Sequence, residues 1–303
     1  MTTRTSLLLL HKPIGVTSFS SLKPVKRFVD KKTGHAGTLD RFAEGLMIVL
    51  TGAFTKLNPL CSGLDKRYIA TISFGEETST LDPEGKCIAE GPIPTRETIE
   101  SVLDEQFIGE ILQTPPEYSA VHIQGKRAYQ LARSGESVDI PARTVFIHQL
   151  KILSWESPVL TVEVHCSKGT YIRSLARDIA IACGSRAHLI ALKRTAIGPF
   201  SLDEAIASDD ESVLVEHAKA SIDRVSRLPG MGSIVIDAET ARRMCYGNLP
   251  VKRGIIGRSM HDEDRYAMVF DESGVLLAIV GLDGNQEPNK VFAVVPVENR
   301  IDD

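Results

Sequence analysis

The chain has 303 residues, enough for two domains of ordinary size or for one large domain with an appendage. Apolar residues make up 43% and charged residues 24%, which excludes a disordered, collagen-like or low-complexity protein. Lys and Arg number 35 against 39 Asp and Glu. The resulting net charge of −4 excludes a protein that coats nucleic acid through overall positive charge, although it leaves room for a local basic surface.

Cysteine usage and hydropathy bear on the cellular compartment. The five cysteines are scattered and none forms a C-x-x-C pair, which argues against a disulfide framework and against a zinc-binding motif. The apolar run at residues 7–10 is too short for a signal-peptide core, and no run of about 18 apolar residues occurs. We therefore expect free thiols, no metal, no membrane association and a cytoplasmic location.

Strand and helix patterns alternate irregularly over the first three quarters of the chain. Residues 7–10 are typical of a buried strand, and a short helix is expected from Ser20 or Ser21 to Val29. Residues 68–74 alternate as a strand, Thr95 is a predicted helix cap, and residues 125–133 are predicted to form a short basic helix. This order predicts the α+β class, with a mostly antiparallel mixed sheet flanked by helices.

The pattern changes after an acidic stretch at residues 201–223 and the segment Arg227-Leu228-Pro229-Gly230. Asp237 is a predicted cap for a short helix, residues 271–274 are predicted to join two strands as a hairpin, and a final strand is expected at 291–295. We therefore predict a larger domain over residues 1–226 and a small β-rich domain over residues 227–303.

The segment from Gly34 to Met47 contains three glycines and small or hydroxylated residues around Asp40. Glycines allow sharp turns and close backbone approach, so a carboxylate on such a loop is held in place by backbone geometry. That arrangement suits a catalytic nucleophile or base. The same pattern is compatible with a turn aspartate that caps the segment beginning at Arg41.

This segment resembles the motif G-H-x-G-[TA]-L-D-P-x-A-x-G-[LM]-L of TruB-type pseudouridine synthases. Further matches follow in the family's order: KPIGVTS at 12–18, DKRY at 65–68, PPEYSAV at 115–121 with GKRAY at 125–129, CSKGTYIRSL at 166–175, and LKRT at 192–195 before Gly198. Several ordered matches are far more specific than a lone glycine pattern. Arg41 stands where the family usually has Pro, and Lys193 replaces a usual Arg.

The resemblance implies a pseudouridine synthase fold and an isomerase that needs no cofactor. It implies that Asp40 is the catalytic carboxylate, that Arg173 keeps it ionised, and that Tyr68 stacks on a flipped uracil and assists proton transfer. Tyr171 and Leu192 are expected to line the base pocket. Whether the carboxylate attacks the ribose or first assists glycal formation stays open.

The resemblance also implies the partner, which is the T-arm stem-loop of tRNA, modified at the uridine of position 55. It implies an RNA-gripping thumb at about residues 115–145 and a PUA-like C-terminal domain. The expected RNA contacts combine a basic N-terminal segment with the thumb. They are Lys12, Lys23, Lys26, Arg27, Lys31, Lys32, His35, Lys126, Arg127, Arg133 and Arg143.

We expect a monomer that acts without a guide RNA. Two other interpretations are compatible with the residues. One is a non-catalytic tRNA-binding or tRNA-folding chaperone on the same scaffold, which would not require Asp40, Tyr68 and Arg173 together. The other is a small-molecule hydrolase that uses Asp40, whose activity would be indifferent to RNA and to salt.

Overall fold

The computed structural model describes residues 4–119, 122–123, 126–127, 140–207 and 209–295. The chain divides into two compact units. The first unit contains Met1–Leu39, Leu46–Gly63 and Gly198–Asp303, and the second contains Asp40–Gly45 and Leu64–Ile197. Within the described residues, no helix is long and apolar enough to cross a lipid bilayer.

The first unit carries an N-terminal and a C-terminal set of elements. Its helices are α1 (Lys23–Phe28), α2 (Asn58–Ser62), α5 (Glu211–Lys219), α6 (Ser221–Ser226) and α7 (Ala238–Met244), with short 3-10 helices at Ser20–Leu22, Gly52–Leu57, Leu202–Glu204 and Lys252–Gly254. Its strands are β1 (Leu7–Lys12), β2 (Thr33–Ala36), β13 (Phe200–Ser201), β14 (Met231–Ile236), β15 (Ile255–Ser259), β16 (Tyr266–Phe270), β17 (Leu276–Leu282) and β18 (Pro288–Val294).

The second unit is built on long strands with two helices. Its helices are α3 (Arg96–Gln106) and α4 (Ile172–Ala182). Its strands are β4 (Lys66–Phe74), β5 (Glu76–Thr78), β6 (Cys87–Glu90), β7 (Gly109–Gln113), β8 (His122–Ile123), β9 (Lys126–Arg127), β10 (Arg143–Glu156), β11 (Val159–Cys166) and β12 (Ala187–Ile197). Strand β3 (Glu44–Thr51) begins in this unit and continues into the first.

The sheet of the second unit has the order β12-β4-β11-β10-β7, with antiparallel pairing throughout this run. The first residues of β3 pair with β12 in parallel, so the sheet is mixed. Strand β4 buries Tyr68, Ala70, Ile72 and Phe74 on one face, as its alternating sequence predicts. Helix α4 contributes a buried apolar face to this unit.

The C-terminal part of the first unit is a sheet of order β15-β14-β16-β17-β18. Its core contains Ile234, Ile236, Val269 and Val280, all fully buried. The predicted hairpin is present as β16 and β17, and Asp237 caps helix α7 by accepting a hydrogen bond from the Thr240 amide at 2.7 Å. The predicted C-terminal sheet is therefore confirmed, whereas the boundary between residues 226 and 227 stays a prediction.

Most predicted elements are confirmed, including the strand at 7–10 and the Thr95 cap, whose hydroxyl accepts from the Thr98 amide at 3.3 Å. Two details were wrong. Neither Ser20 nor Ser21 caps helix α1; instead Thr17 Oγ1 accepts from the Ser20 amide before a 3-10 turn. Lys126 and Arg127, two residues of the helix predicted at 125–133, instead form a short strand that pairs with β8; residue 125 and residues 128–133 lie outside the described residues.

Candidate active site

Asp40 lies on the loop between β2 and β3, where the chain is held on both sides. Before it, Ser18 Oγ donates to the carbonyl of Leu39 and accepts from its amide, both at 2.8 Å. After it, Gly45 pairs with Arg194 of strand β12. A Cβ at Gly45 would lie 2.3 Å from the Arg194 carbonyl oxygen, so only glycine allows this approach.

Asp40 and Arg173 form a two-point ion pair. Arg173 Nε lies 2.9 Å from Asp40 Oδ2, and Nη2 donates to Oδ1 at 3.1 Å. The Arg173 side chain is 5% exposed, whereas that of Asp40 is 37% exposed. The guanidinium is therefore fixed within the protein, while the carboxylate remains open to a ligand. The predicted pairing of these two residues is what the geometry shows.

Arg173 has further partners that hold the guanidinium in place. Nη1 donates to the Thr80 carbonyl at 2.9 Å and lies 3.3 Å from Asp82 Oδ2, and Nη2 donates to the Tyr118 carbonyl at 3.0 Å. Asp82 is 5% exposed, and its Oδ1 accepts from the Glu84 amide at 3.0 Å. Asp82 thus belongs to the site, although it stands in none of the sequence motifs.

Two opposing effects act on the Asp40 carboxyl. Partial burial raises its pKa above the ordinary value of 3.8, because the protein replaces part of the water around the anion. The Arg173 guanidinium opposes this rise through its charge and its hydrogen bond, whereas the negative charge of Asp82 adds to it. The carboxylate is therefore basic for an aspartate, and its anionic form depends on Arg173.

Tyr68 points to the buried face of strand β4, with 7% of its surface exposed. Its backbone pairs with Arg194, which is 1% exposed. Burial raises the pKa of the Tyr68 hydroxyl, and the charge and hydrogen bond of the Arg194 guanidinium oppose that rise. The Asp40 charge also raises this pKa. Tyr68 is accordingly held as a neutral phenol whose hydroxyl is bound by an arginine.

Lys66 is a second buried cation on this side of β4. It is 7% exposed, and burial together with the Arg194 charge lowers its pKa to about 8. Its backbone pairs with that of Cys166, whose pKa burial raises to about 11. The thiol is therefore protonated at neutral pH. Lys66 and Arg194 give the surroundings of Tyr68 a positive character.

Tyr171 and Leu192 occupy the positions just before helix α4 and within strand β12. The Tyr171 amide donates to Gln113 Oε1 at 2.8 Å, and the Arg143 guanidinium lies over the tyrosine ring at 4.7 Å from its centroid. Leu192 is 6% exposed and pairs with Ala70 of β4. Both residues belong to the second unit, as Asp40, Tyr68 and Arg173 do.

Two further predicted binding residues, Lys12 and His35, belong to the first unit. Lys12 is fully buried at the end of β1, where its Nζ donates to the Pro13 carbonyl at 2.9 Å. His35 lies on β2 and lines a surface cavity of about 370 Å³ together with Lys31 and Lys32. Both belong to the first unit, and their contacts with RNA stay predictions.

The thumb is described only in part. The side chains of Lys126 and Arg127, and all of Arg133, lie outside the described residues. Arg143 begins strand β10 and, besides its contact with Tyr171, its Nη2 donates to the carbonyl of Gly169. The predicted RNA contacts of these four residues stay predictions.

Arg194 and Asp82 were not predicted as site residues from the sequence, and they differ in how far the sequence could have indicated them. Arg194 stood inside the quoted LKRT motif, and its position opposite Tyr68 follows from strand register. Asp82 stood outside every quoted motif, in a turn between β5 and β6. A buried aspartate in a turn is usually explained by local hydrogen bonds, so its contact with Arg173 had no local signature.

Comparison with known proteins finds similarity to pseudouridine synthases in both the family model and the individual relatives. Residues 26–172 match the model of the TruB family pseudouridylate synthase (N terminal domain). The chain is 38% identical over 284 residues to tRNA pseudouridine synthase B of Borreliella afzelii, an alignment that covers 92% of this chain and 96% of that protein. It is 43% identical over 227 residues to tRNA pseudouridine synthase B of Bordetella avium, covering 74% and 93%.

A solved structure shares the fold. The crystal structure of a Cbf5-Nop10-Gar1 complex superposes with a TM-score of 0.67 at 23% sequence identity, covering 96% of this chain and 85% of that chain. At this identity the likeness concerns the fold alone. Together with the family match, it confirms the predicted fold class.

Proposed function

Because the chain belongs to the TruB family of pseudouridylate synthases, we propose that it is a tRNA pseudouridine synthase that isomerises the T-loop uridine at position 55. The reaction breaks the N1–C1′ bond of uridine, turns the detached uracil, and joins C5 to C1′. The proton lost from C5 is balanced by the proton gained at N1. Substrate and product are isomers, so the reaction consumes no oxidant, phosphoryl donor or other cofactor.

The ion pair between Asp40 and Arg173 is the observation that carries this proposal. The reaction needs an anionic carboxylate that can reach the nucleoside, either as a nucleophile at the ribose or as a base during glycal formation. The 37% exposure of Asp40 leaves it open to such a substrate, and the buried guanidinium favours its anion. Attack of the carboxylate on the ribose and glycal formation are both compatible with this arrangement.

The proposed base pocket is formed by Tyr68, Tyr171 and Leu192. An enzyme that acts on a base in folded RNA must take it out of its stack, and aromatic and apolar side chains then hold it. Tyr68 is a neutral phenol next to the Asp40 charge, which supports a stacking role and a role as a proton carrier. Arg194, through its hydrogen bond, is proposed to position the Tyr68 hydroxyl.

RNA binding is proposed to rely on local basic groups, since the net charge of the chain is −4. Loops of RNA are recognised through stacking and base-edge contacts, and basic side chains position the phosphates. Lys31 and Lys32 beside His35 form one such surface in the first unit. Lys126 and Arg127 are proposed to bind the T-arm stem-loop, and the PUA-like sheet is proposed as a further RNA contact. We further propose that the protein acts as a monomer in the cytoplasm.

A product assay tests the proposal. T-arm RNA carrying labelled uridine is incubated with the wild type, with Asp40→Asn and with Asp178→Asn, and the digested nucleosides are separated by chromatography. Asp178 is the matched control, because it is also paired with an arginine, Arg177, at 2.8 Å. We expect pseudouridine from the wild type and from Asp178→Asn, and none from Asp40→Asn.

Three outcomes would contradict the proposal. Equal RNA binding with no product from the wild type would indicate a tRNA chaperone. Product formation by Asp40→Asn would show that the reaction does not require the Asp40 carboxylate. Unchanged product from T-arm RNA in which cytidine replaces the uridine of position 55 would refute the choice of target.

A further inference from the structure

A second group of chemically active side chains lies in the second unit, on two neighbouring strands and just before a third. It consists of Asp65, His148 and His165, each of which offers one ligand atom, and these atoms all lie within 4.8 Å of one another. His148 Nε2 lies 3.0 Å from Asp65 Oδ2. The centroids of the two imidazole rings are 4.6 Å apart, with the ring planes tilted by 36°. None of the three residues is assigned to the proposed reaction.

Strand register explains why these residues converge. Ile147 pairs with Cys166 and Gln149 pairs with His165, so His148 is the extra residue of a bulge in strand β10. A bulge redirects a side chain that would otherwise follow the regular alternation of the strand. Lys66, the first residue of β4, also pairs with Cys166, so Asp65 just before it lies at this end of β11. The bulge therefore brings three ligand residues, two histidines and one aspartate, close together.

The donor set indicates the chemical class of ligand. Two imidazole nitrogens and one carboxylate oxygen suit borderline divalent cations such as Zn²⁺ and Co²⁺ better than Mg²⁺ or Ca²⁺, which prefer oxygen. Ligand atoms around a tetrahedral Zn²⁺ are about 3.4 Å apart, given bond lengths of about 2.1 Å. Here one pair of ligand atoms is 3.0 Å apart and all three lie within 4.8 Å of one another, which is close to that spacing. The side chains of His148 and Asp65 are 34% and 44% exposed, so an ion can enter from solvent.

We propose that Asp65, His148 and His165 form a binding site for a divalent transition-metal cation of the Zn²⁺ type, with water completing the coordination. The cation would bridge strands β4, β10 and β11. This differs from the expectation of no metal, which was based on the lack of a C-x-x-C pair. Because these ligands come from three separate segments of the chain, they do not form a short-spaced motif in the sequence.

The experiment uses the full chain without an affinity tag, because a polyhistidine tag would itself bind the metal. The protein is treated with a chelator, which is then removed, and is titrated with Co²⁺ while the visible absorption is recorded. Zn²⁺ is measured by competition with a coloured chelator. We expect one equivalent of metal, and an affinity at least about tenfold weaker in His148→Gln/His165→Gln, since two of three protein ligands are lost.

Three further variants separate the possible sites. Asp65→Asn keeps the shape of the side chain and should also weaken binding. His261→Gln changes an exposed histidine outside the cluster and should leave binding unchanged. Cys87→Ser removes the thiol of an exposed group with Glu76 and Glu90, and it should also leave binding unchanged.

Thermal denaturation provides a second measurement, independent of the absorption signal. Zn²⁺ should raise the melting temperature of the wild type but not that of the double histidine variant, because a ligand that binds only the folded state stabilises it. Without metal, the two proteins should melt at similar temperatures. Equal binding by wild type and double variant, loss of binding in Cys87→Ser alone, or no binding by the wild type at about 100 μM metal would each overturn the proposal.

Discussion

Two buried arginines of the second unit flank the proposed reaction centre, and they are held in different ways. Arg173 contacts Asp40, Asp82 and the Tyr118 carbonyl, which come from separate segments of the chain. Arg194 lies opposite Tyr68 through the register of two paired strands. The first arginine is balanced by carboxylates, whereas the second lies near another cation, Lys66.

The two arginines therefore have different proposed roles in this unit. Arg173 acts on the ionisation of the carboxylate, and its position depends on long-range contacts. Arg194 acts on a phenol, and its position depends on sheet pairing that forms whether or not the site is complete. Substitutions at the two arginines should therefore produce different kinetic defects.

The largest effect is expected from Arg173→Ala. This change removes the charge partner of the proposed catalytic carboxylate, and losing one such stabilising group costs about 10² or more in rate. The measurement is the single-turnover rate of pseudouridine formation at saturating enzyme. RNA affinity should change little, because Arg173 is buried. A near-normal single-turnover rate would refute the role assigned to this ion pair.

A smaller loss, of about tenfold, is expected from Asp82→Asn, because a misplaced guanidinium aligns Asp40 less well. Asparagine retains an oxygen that can accept from the Glu84 amide but places an amino group against Arg173. Thermal denaturation would establish that the variant is folded. Asp178→Asn, which changes another carboxylate paired with arginine, should keep the wild-type rate. Equal rates for the two variants would show that Asp82 does not position Arg173.

The pH dependence of the rate tests the direction in which each variant shifts the pKa of Asp40. Burial raises the pKa of Asp40, so the rate should fall as the pH drops through a value above 3.8. Arg173→Gln removes a charge that lowers this pKa, so the acid limb should move to higher pH. Single-turnover rates across the acid range measure this shift.

Arg194→Gln is the comparison variant for this test. Its guanidinium acts on Tyr68, so the acid limb that reports Asp40 should stay in place even if the overall rate falls. Movement of that limb by the same amount as in Arg173→Gln would contradict the separation of tasks between the two arginines.

The parts of this site that were predicted from the sequence lie in segments with a regular pattern or in the family motif. The strand with Tyr68, the helix that begins after Tyr171, and the pairing of Asp40 with Arg173 were all expected from residues in register with the family motif. The loop glycines were also informative, since Gly45 allows β3 to approach Arg194. The strand and the glycine loop depend on local backbone conformation, whereas the pairing of Asp40 with Arg173 joins distant segments and was expected from the family motif alone.

Contacts between distant segments that involve residues outside the family motifs were missed. Asp82 reaches Arg173 from a turn, and its role shows only when helix α4 and that turn are both in place. The convergence of His148 with His165 depends on one extra residue in a strand. The helix predicted at 125–133 was wrong at Lys126 and Arg127, because a pairing partner at His122–Ile123 outweighed local propensity.

The smallest effect on chemistry is expected from Lys126→Ala and Arg127→Ala. If each side chain binds one phosphate of the T-arm, its removal should weaken RNA binding and reduce the slope of log K against log salt by about 1. The single-turnover rate at saturating enzyme should stay at the wild-type value, in contrast to Arg173→Ala. Lys219→Ala is the matched control, because Lys219 is an exposed lysine already paired with Glu216 at 2.6 Å. An unchanged salt slope in both thumb variants would place the RNA-binding basic groups elsewhere in the chain.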